Sequence, residues 1–254
     1  MSSSTIDTSS VLLQPAGASM ASRDRYSRVA MVLHWTIAGF IIFNLCSGFY
    51  IESWLHGALM KSAPPQMRSW TLMLHVSSGL TVLALTVARI AWRLFNAPPP
   101  FPATMKPWER HTARFAHFLL YAAMVLMPLT GWAILSAHPP AGSPGAAAQA
   151  APPAAAPGAA APPAGPRTVY IWNVIPMSSI SVIESIGREP GALAAQHVLH
   201  EDFQEWHGAG GYLLLGVLIL HILGALKHQF IDRQPELARM GIGRRKPAGR
   251  SAPR

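Results

Sequence analysis

The chain has 254 residues, half of them hydrophobic and only 12% charged, against roughly 25% charged residues in an ordinary soluble domain. That composition excludes an ordinary soluble fold, and the single cysteine, Cys46, excludes an intrachain disulfide framework. The formal net charge of +9 raises nucleic acid as a partner class, and its placement along the chain decides the matter.

Residues 1–24 open with MSSSTIDTSSVLLQPAGASM, which has neither a basic n-region nor an apolar core. No cleavable signal is expected there, and the segment reads as a disordered cytoplasmic tail. Four later stretches, about 29–50, 72–94, 115–136 and 208–228, have the length and apolar character of a bilayer crossing, which takes about 20 residues. Between Ala30 and Tyr50 no residue is charged on any face, whereas a surface helix of a soluble bundle carries a polar stripe. The expected fold class is all-α, an integral membrane bundle of four transmembrane helices within residues 25–231.

The connections differ in character. The first, ESWLHGALMKSAPPQMRSW, is short, and the second, NAPPPFPATMKPWERHTAR, is punctuated by proline and carries Trp108 and Arg110, residues suited to an interface. In the third, residues 139–166 form an Ala/Pro/Gly insert without charge, expected to be a disordered spacer. Residues 168–204 carry TVYIWNVIP and a weakly amphipathic SVIESIGREPGALAAQHVLHEDFQ, read as a short interfacial helix leading into the fourth span. Residues 232–254 form a basic tail, expected on the cytoplasmic membrane surface or disordered.

Of the 20 lysines and arginines, only Lys61, Arg68, Arg167 and Arg188 fall on one side of the bundle. The rest flank the other side, so the positive-inside rule makes both termini cytoplasmic. Topology and attraction to anionic lipid account for the charge, and no nucleic-acid partner is needed.

The histidines carry the chemistry. Imidazole inside a span is costly and marks a functional candidate, although a lone one can simply bond a neighbouring helix. His207 and His221 are separated by 14 residues, which on one helix is about 21 Å of height and about 40° of azimuth. They share a face near opposite sides of the bilayer. His34 lies shortly inside the first span from the cytoplasmic side, and His75 opens the second span on the outer side. In antiparallel spans His34 therefore matches His221 in depth, and His75 matches His207. Two stacked pairs of facing imidazoles suit two six-coordinate haem b groups, because imidazole is a good iron ligand and axial ligands set the potential. The rival from another class, a divalent-metal transporter, expects carboxylates deep in the spans. Glu52 and Glu205 sit only near their edges.

Gly208, Gly210, Gly211 and Gly216 flank the histidines of the fourth span, and Ser78 and Gly79 follow His75 by one turn. Missing side chains let a flat macrocycle approach the backbone, although small residues also serve helix packing in membranes. Cys46 is read as a small packing residue, and no CxxCH attachment is available.

The phrases RYSRVAMVLHW, MLHVSSGLTVLALTVARIAWRL, AHFLLYAAMVLMPLTGW and EWHGAGGYLLLGVLILHILGALKHQF resemble the four spans of the bacterial cytochrome b561 family, which is itself similar to the b-type subunits of nickel-iron hydrogenases. The resemblance covers residues 25–137 and 203–231 and is strongest at the four histidines and at MPLTGW; the Ala/Pro insert departs from it. It implies that His34, His75, His207 and His221 are axial ligands of two haems b in the bacterial cytoplasmic membrane. It further implies electron transfer between an outer-face donor and quinone, ubiquinone being the candidate, with superoxide the donor in one branch. The alternative is a cytochrome b anchor subunit that relays electrons to or from a partner dehydrogenase, hydrogenase or soluble cytochrome.

Within that reading, His228 and Lys106 at the cytoplasmic rim are candidates for a quinone site, since histidine titrates near neutrality. A solvated or snorkelling role is the competing reading. His117 has no facing partner and is assigned to a haem propionate or a neighbouring helix. Arg28, Arg89, Arg93, Arg114 and Lys227 surround the inner pair, where one or two have the charge to meet propionates, although topology alone explains them. His56, His111, His138, His197 and His200 fall in loops and are read as solvated, with His197, His200, Glu201 and Asp202 as a minor metal-site candidate.

Overall fold

Each of the four apolar runs becomes a helix that outlasts it. The computed structural model describes residues 25–52, 64–102, 104–150 and 169–243. Helix α1 (Arg28–Glu52) starts at an N-cap, where the Ser27 hydroxyl accepts the Ala30 N–H at 3.2 Å. Helix α2 (Pro65–Phe95) opens with proline in its first turn, where the missing N–H costs no helical bond. Helix α3 (Pro107–Ser136) does the same, and the Glu109 carboxylate accepts the Lys106 N–H at 3.0 Å to satisfy one further donor.

The third connection is more ordered than its composition suggests. Pro144–Ala150 form a short helix, α4, whose start is held by the Ser143 hydroxyl accepting the Ala146 N–H at 3.1 Å. A serine-proline start followed by alanines, the best helix formers, gives the local reason. The tertiary reason is Gly145, which packs directly on the Gly187 carbonyl with no room for a Cβ. The expected structureless spacer is thus corrected over its first residues, while 151–166 lie outside the described residues.

Next, β1 (Tyr170–Ile171) pairs antiparallel with β2 (Ile175–Pro176). Trp172 and Asn173 turn the hairpin with φ of 51° and 59°, the left-handed region that tight hairpins require. The tip is tied to α2, since the Trp172 N–H donates to the Ser77 hydroxyl at 2.8 Å and its indole N–H to the Thr81 hydroxyl at 3.1 Å. After α5 (Ser181–Glu184) and two single 3-10 turns comes α6 (Leu193–Leu226), so the expected interfacial helix is corrected: the hairpin and short turns take its first part, and α6 joins its end to the fourth span. Hydropathy marks only the lipid-immersed part. Gln196, His197, Glu201 and Glu205 end the apolar run without ending the helix.

The bundle is two antiparallel pairs, α1 with α2 and α3 with α6, joined along α2 and α3, while α1 and α6 touch only sparsely. At mid-height Ile37, Ile41, Val82, Leu120, Met124, Leu214 and Val217 form the buried core. Outward, Val32, Ile42, Phe43, Leu126, Leu213 and Leu220 are exposed, an apolar band that needs lipid as its solvent. All four long helices are long and apolar enough to cross a membrane. Cys46 also faces outward, so its expected packing role is corrected.

Polar stitches fix the pairs. Asn44 Nδ2 donates to Ser78 Oγ at 2.9 Å between α1 and α2, and Ser77, Ser78 and Thr86 are completely buried, so the backbones approach closely. At the end bearing the chain termini, α6 leaves through a π-helical turn (Lys227–Ile231) into α7 (Glu236–Arg239). Trp35 Nε1 donates to the Met240 carbonyl at 3.0 Å, and Arg239 Nη2 to the Pro100 carbonyl at 2.7 Å. Residues 233–243 therefore fold back on the bundle instead of trailing, and 244–254 lie outside the described residues.

Replacing Asn44 by Ala removes the α1–α2 bond and should cost about 0.6–2 kcal/mol, the range for interhelical bonds in membranes. Thermal unfolding in detergent should show a lower midpoint with unchanged helix content.

Candidate functional site

The depth match expected from the sequence becomes a contact in the structure. His75 of α2 faces His207 of α6 with ring centroids 6.2 Å apart and planes at 73°. His34 of α1 faces His221 of α6, also at 6.2 Å, with planes at 66°. An iron bound on the line between two imidazole nitrogens, with bonds of about 2.0 Å each, sets the ring centres roughly 6 Å apart. Both pairs have the spacing that one bound ion requires, and two unrelated packing contacts would have no reason to share it. The buried Ile37, Val82, Leu214 and Val217 lie between the two levels.

His117 approaches His221 at 5.2 Å with planes at 85°. That is about 1 Å too short for a shared ion, and His117 Nδ1 lies 2.6 Å from the Ala113 carbonyl of its own helix. It is a neighbour of the pair without ligand geometry.

Around the His75 and His207 pair the four helices leave a mostly apolar cavity, lined in part by Gly79, Gly208, Gly211, Met124 and Met127. Those three glycines widen it as the sequence suggests. Gly210 instead packs on the Met127 sulfur, and Gly216 meets nothing within 4 Å. The cavity and the paired nitrogens fit a flat macrocycle with two axial ligands.

The residues behind the rings escaped sequence reasoning. Ser47 Oγ lies 2.9 Å from His75 Nδ1, and Thr130 Oγ1 lies 2.9 Å from His207 Nδ1. At the next positions, a Cβ on Gly48 would stand 3.1 Å from His75 Cε1, and one on Gly131 would stand 3.2 Å from His207 Cε1. Depth was the available signal. Ser47 follows His34 on α1 by 13 residues, about 20 Å, which puts it at the level of His75.

At the end bearing the termini, titratable groups form a cluster. Lys227 Nζ donates to Glu109 Oε1 at 2.7 Å and to Asp232 Oδ2 at 2.8 Å, and His228 Nδ1 lies 2.7 Å from the same Asp232 oxygen. His228 Nδ1 is thus engaged. The Lys106 N–H bonds the other Glu109 oxygen, so Lys106 and Lys227 meet at one carboxylate. Arg89 spends Nε on the Tyr121 hydroxyl and Nη1 on the Ala30 carbonyl, both at 3.0 Å. Arg93 lies over the Tyr121 ring, and Arg114 over Phe101. These arginines are tied into the protein near the His34 and His221 level.

At the opposite end, His138 meets His200 edge to face with centroids 5.2 Å apart, and His197 pairs with Glu201 at 3.5 Å; His197 and His200 lie on α6 and not in a loop as expected. Among the described residues no three ligand-type side chains converge as a metal cluster. Glu201, Gln204 and Glu205 line a shallow groove that shares Gly208 and Tyr212 with the cavity.

The model of the prokaryotic cytochrome b561 family matches residues 25–243. The cytochrome b561 homolog 2 of Escherichia coli K12 is 24% identical over 224 residues, covering 85% of this chain and 91% of that protein. The probable superoxide oxidase CybB of Yersinia pestis is 27% identical over 111 residues, which is 44% of this chain and 58% of that protein. Cytochrome b562 of Cereibacter sphaeroides is 32% identical over 112 residues, 44% of this chain and 67% of that protein.

The hydrogen bond from Lys227 holds the Asp232 carboxyl below the usual carboxylate range, and His228 adds to the effect. A depressed carboxyl contributes stability above its unfolded value, and the contribution is lost as pH falls through the folded one. Hydrogen exchange across 233–243 should show the segment protected at neutral pH and released in strong acid. Lys227→Met should erase most of that difference; a segment equally protected in acid would contradict the assignment.

Proposed function

Because the chain belongs to the prokaryotic cytochrome b561 family, and is thus a multi-pass membrane cytochrome of b type, we propose that it carries two haems b and passes electrons between a donor at the hairpin end and quinone at the end bearing the termini. The observation that carries this reading is the equal 6.2 Å separation of the two histidine pairs on either side of one apolar layer. His34 with His221, and His75 with His207, are the proposed axial ligands. Haem, when bound, supplies the one-electron chemistry.

The residues of the chain do the rest. A continuous α6 holds the two ligand levels about 21 Å apart, and the core between them excludes water. The basic residues at the end bearing the termini support a cytoplasmic orientation of that end, in a bacterial inner membrane. There His228 and Lys106 form the proposed quinone site, ubiquinone being the candidate. Asp232 accepts a hydrogen bond from His228 Nδ1, which leaves Nε2 as the ring atom that faces the quinone.

The donor is where two readings part. The Yersinia relative is named a superoxide oxidase, which supports superoxide as donor. Among the described residues the groove beside the hairpin-end cavity is lined by Glu201 and Glu205 and by no lysine or arginine, and carboxylates repel an anion. That favours the second reading, relay from a cationic partner protein.

Purified protein should contain two haems per chain, and a ratio near zero would contradict the reading. His207→Ala should remove the hairpin-end haem and spare the other, and His221→Ala should do the reverse. For the donor, Glu201→Lys combined with Glu205→Lys should slow reduction by a basic protein about tenfold or more at low salt and speed reduction by superoxide. The opposite pattern would restore superoxide as the donor.

A further inference from the structure

The two histidines at the hairpin end are held from behind by a matching pair of dipeptides, Ser47-Gly48 on α1 and Thr130-Gly131 on α3. We infer that these dipeptides are clamps that fix Nε2 of His75 and of His207 as the ligating atoms and strengthen both as electron donors, so that the hairpin-end haem is tuned apart from the other. The inference rests on the dihaem reading above.

The direction of the hydrogen bonds carries it. A hydroxyl has a single proton to donate. Ser47 Oγ gives its proton to the Phe43 carbonyl at 2.9 Å, with Asn44 as a second acceptor at 3.2 Å. Thr130 Oγ1 gives its proton to the Met127 carbonyl at 2.9 Å. Toward the histidines both hydroxyls are therefore acceptors. Nδ1 of each ring must carry the proton, and Nε2 of each keeps the lone pair an iron takes.

The glycines are a second, independent observation. Serine and threonine reach Nδ1 only if the helix backbone lies against that edge of the ring, and the next residue then meets Cε1. A Cβ at either glycine would stand 3.1 or 3.2 Å from that carbon, closer than ordinary contact. Hydroxyl and glycine together grip one edge of each imidazole. In both cases the clamp stands on a different helix from the ligand, α1 behind α2 and α3 behind α6. This gives α3, which supplies no member of either pair, a direct role at the site.

His34 and His221 are held differently. Among the described residues no hydroxyl bonds either ring, and the His117 ring stands beside His221 with centroids 5.2 Å apart. An acceptor on Nδ1–H raises the basicity of a ligating imidazole and favours the oxidised, more positive iron. Each clamp thus lowers the potential at the hairpin end, and the other level lacks this lever. Ser47 and Thr130 are positioning residues that act through the rings they hold.

The test is a spectroelectrochemical titration of the full-length haem-loaded protein in detergent, with the haem-to-protein ratio measured on each sample. The His221→Ala background keeps only the hairpin-end couple and assigns its wave. Thr130→Val, which preserves shape and removes the acceptor, should keep two haems and raise the hairpin-end midpoint by up to a tenfold change in the reduction equilibrium, about 59 mV for one electron. Ser47→Ala should act in the same direction, Thr130→Ser should restore the wild-type value, and the second midpoint should stay in place. Gly131→Ala should lower haem content at that level, and if it fails to fold the valine variant still decides. Two haems with both midpoints unmoved in Thr130→Val and Ser47→Ala would overturn the clamp and leave the dihaem reading standing. Wild-type protein without haem would overturn the dihaem reading and the clamp with it.

Discussion

One continuous helix governs the site. α6 carries a histidine at each of two heights and presents both on one face, because 14 residues bring the helix nearly back to the same azimuth. Everything else in the bundle answers to that spacing. α1, running antiparallel to α6, brings His34 to the lower height, and α2, running the other way, brings His75 to the upper one. The sparse contact between α1 and α6 leaves room at the site, and the apolar layer of Ile37, Val82, Leu214 and Val217 fills the height between the levels. A single-residue insertion in α6 between 207 and 221 would rotate one histidine away from its partner by about 100°.

The ends of the bundle are built for different tasks. At the end bearing the termini, ion pairs and the folded-back segment 233–243 tie α3, α6 and α7 together around a histidine whose Nδ1 is already engaged. At the hairpin end the covering elements are short, and hydrogen bonds tie them to the bundle: two from Trp172 to α2, one from Trp132 of α3 accepted by Ser178, and one donated by Ile180 to Ser136 of α3. In the proposed function, the rings held from behind at this end set the potential that a donor meets.

Much of this was legible in the sequence, for a physical reason. Lipid removes the charged residues that confuse hydropathy in soluble proteins, so the spans stand out, and a costly histidine inside a span stands out further. Depth then paired His34 with His221 and His75 with His207 without any knowledge of side-chain direction. What hydropathy could not show was where a helix ends in water. α6 therefore began at Leu193 and not at 208. Ser47, Gly48, Thr130 and Gly131 stayed hidden because small residues in a membrane helix ordinarily signify packing. Their meaning depends on which ring edge they touch. The helix at Pro144–Ala150 was masked by low complexity, since its stability comes from Gly145 against Gly187, a contact between residues far apart in sequence.

His117 is the sharpest internal check on the account. It lies nearer to His221 than His34 does, yet its spacing fits no shared ion, so the pairing rests on geometry and not on proximity. The most direct measurement is an anomalous-scattering map of the haem-loaded protein at the iron edge. The account predicts two iron peaks about 20 Å apart, one between His75 and His207 and one between His34 and His221. A single peak, or a lower peak between His117 and His221, would contradict it.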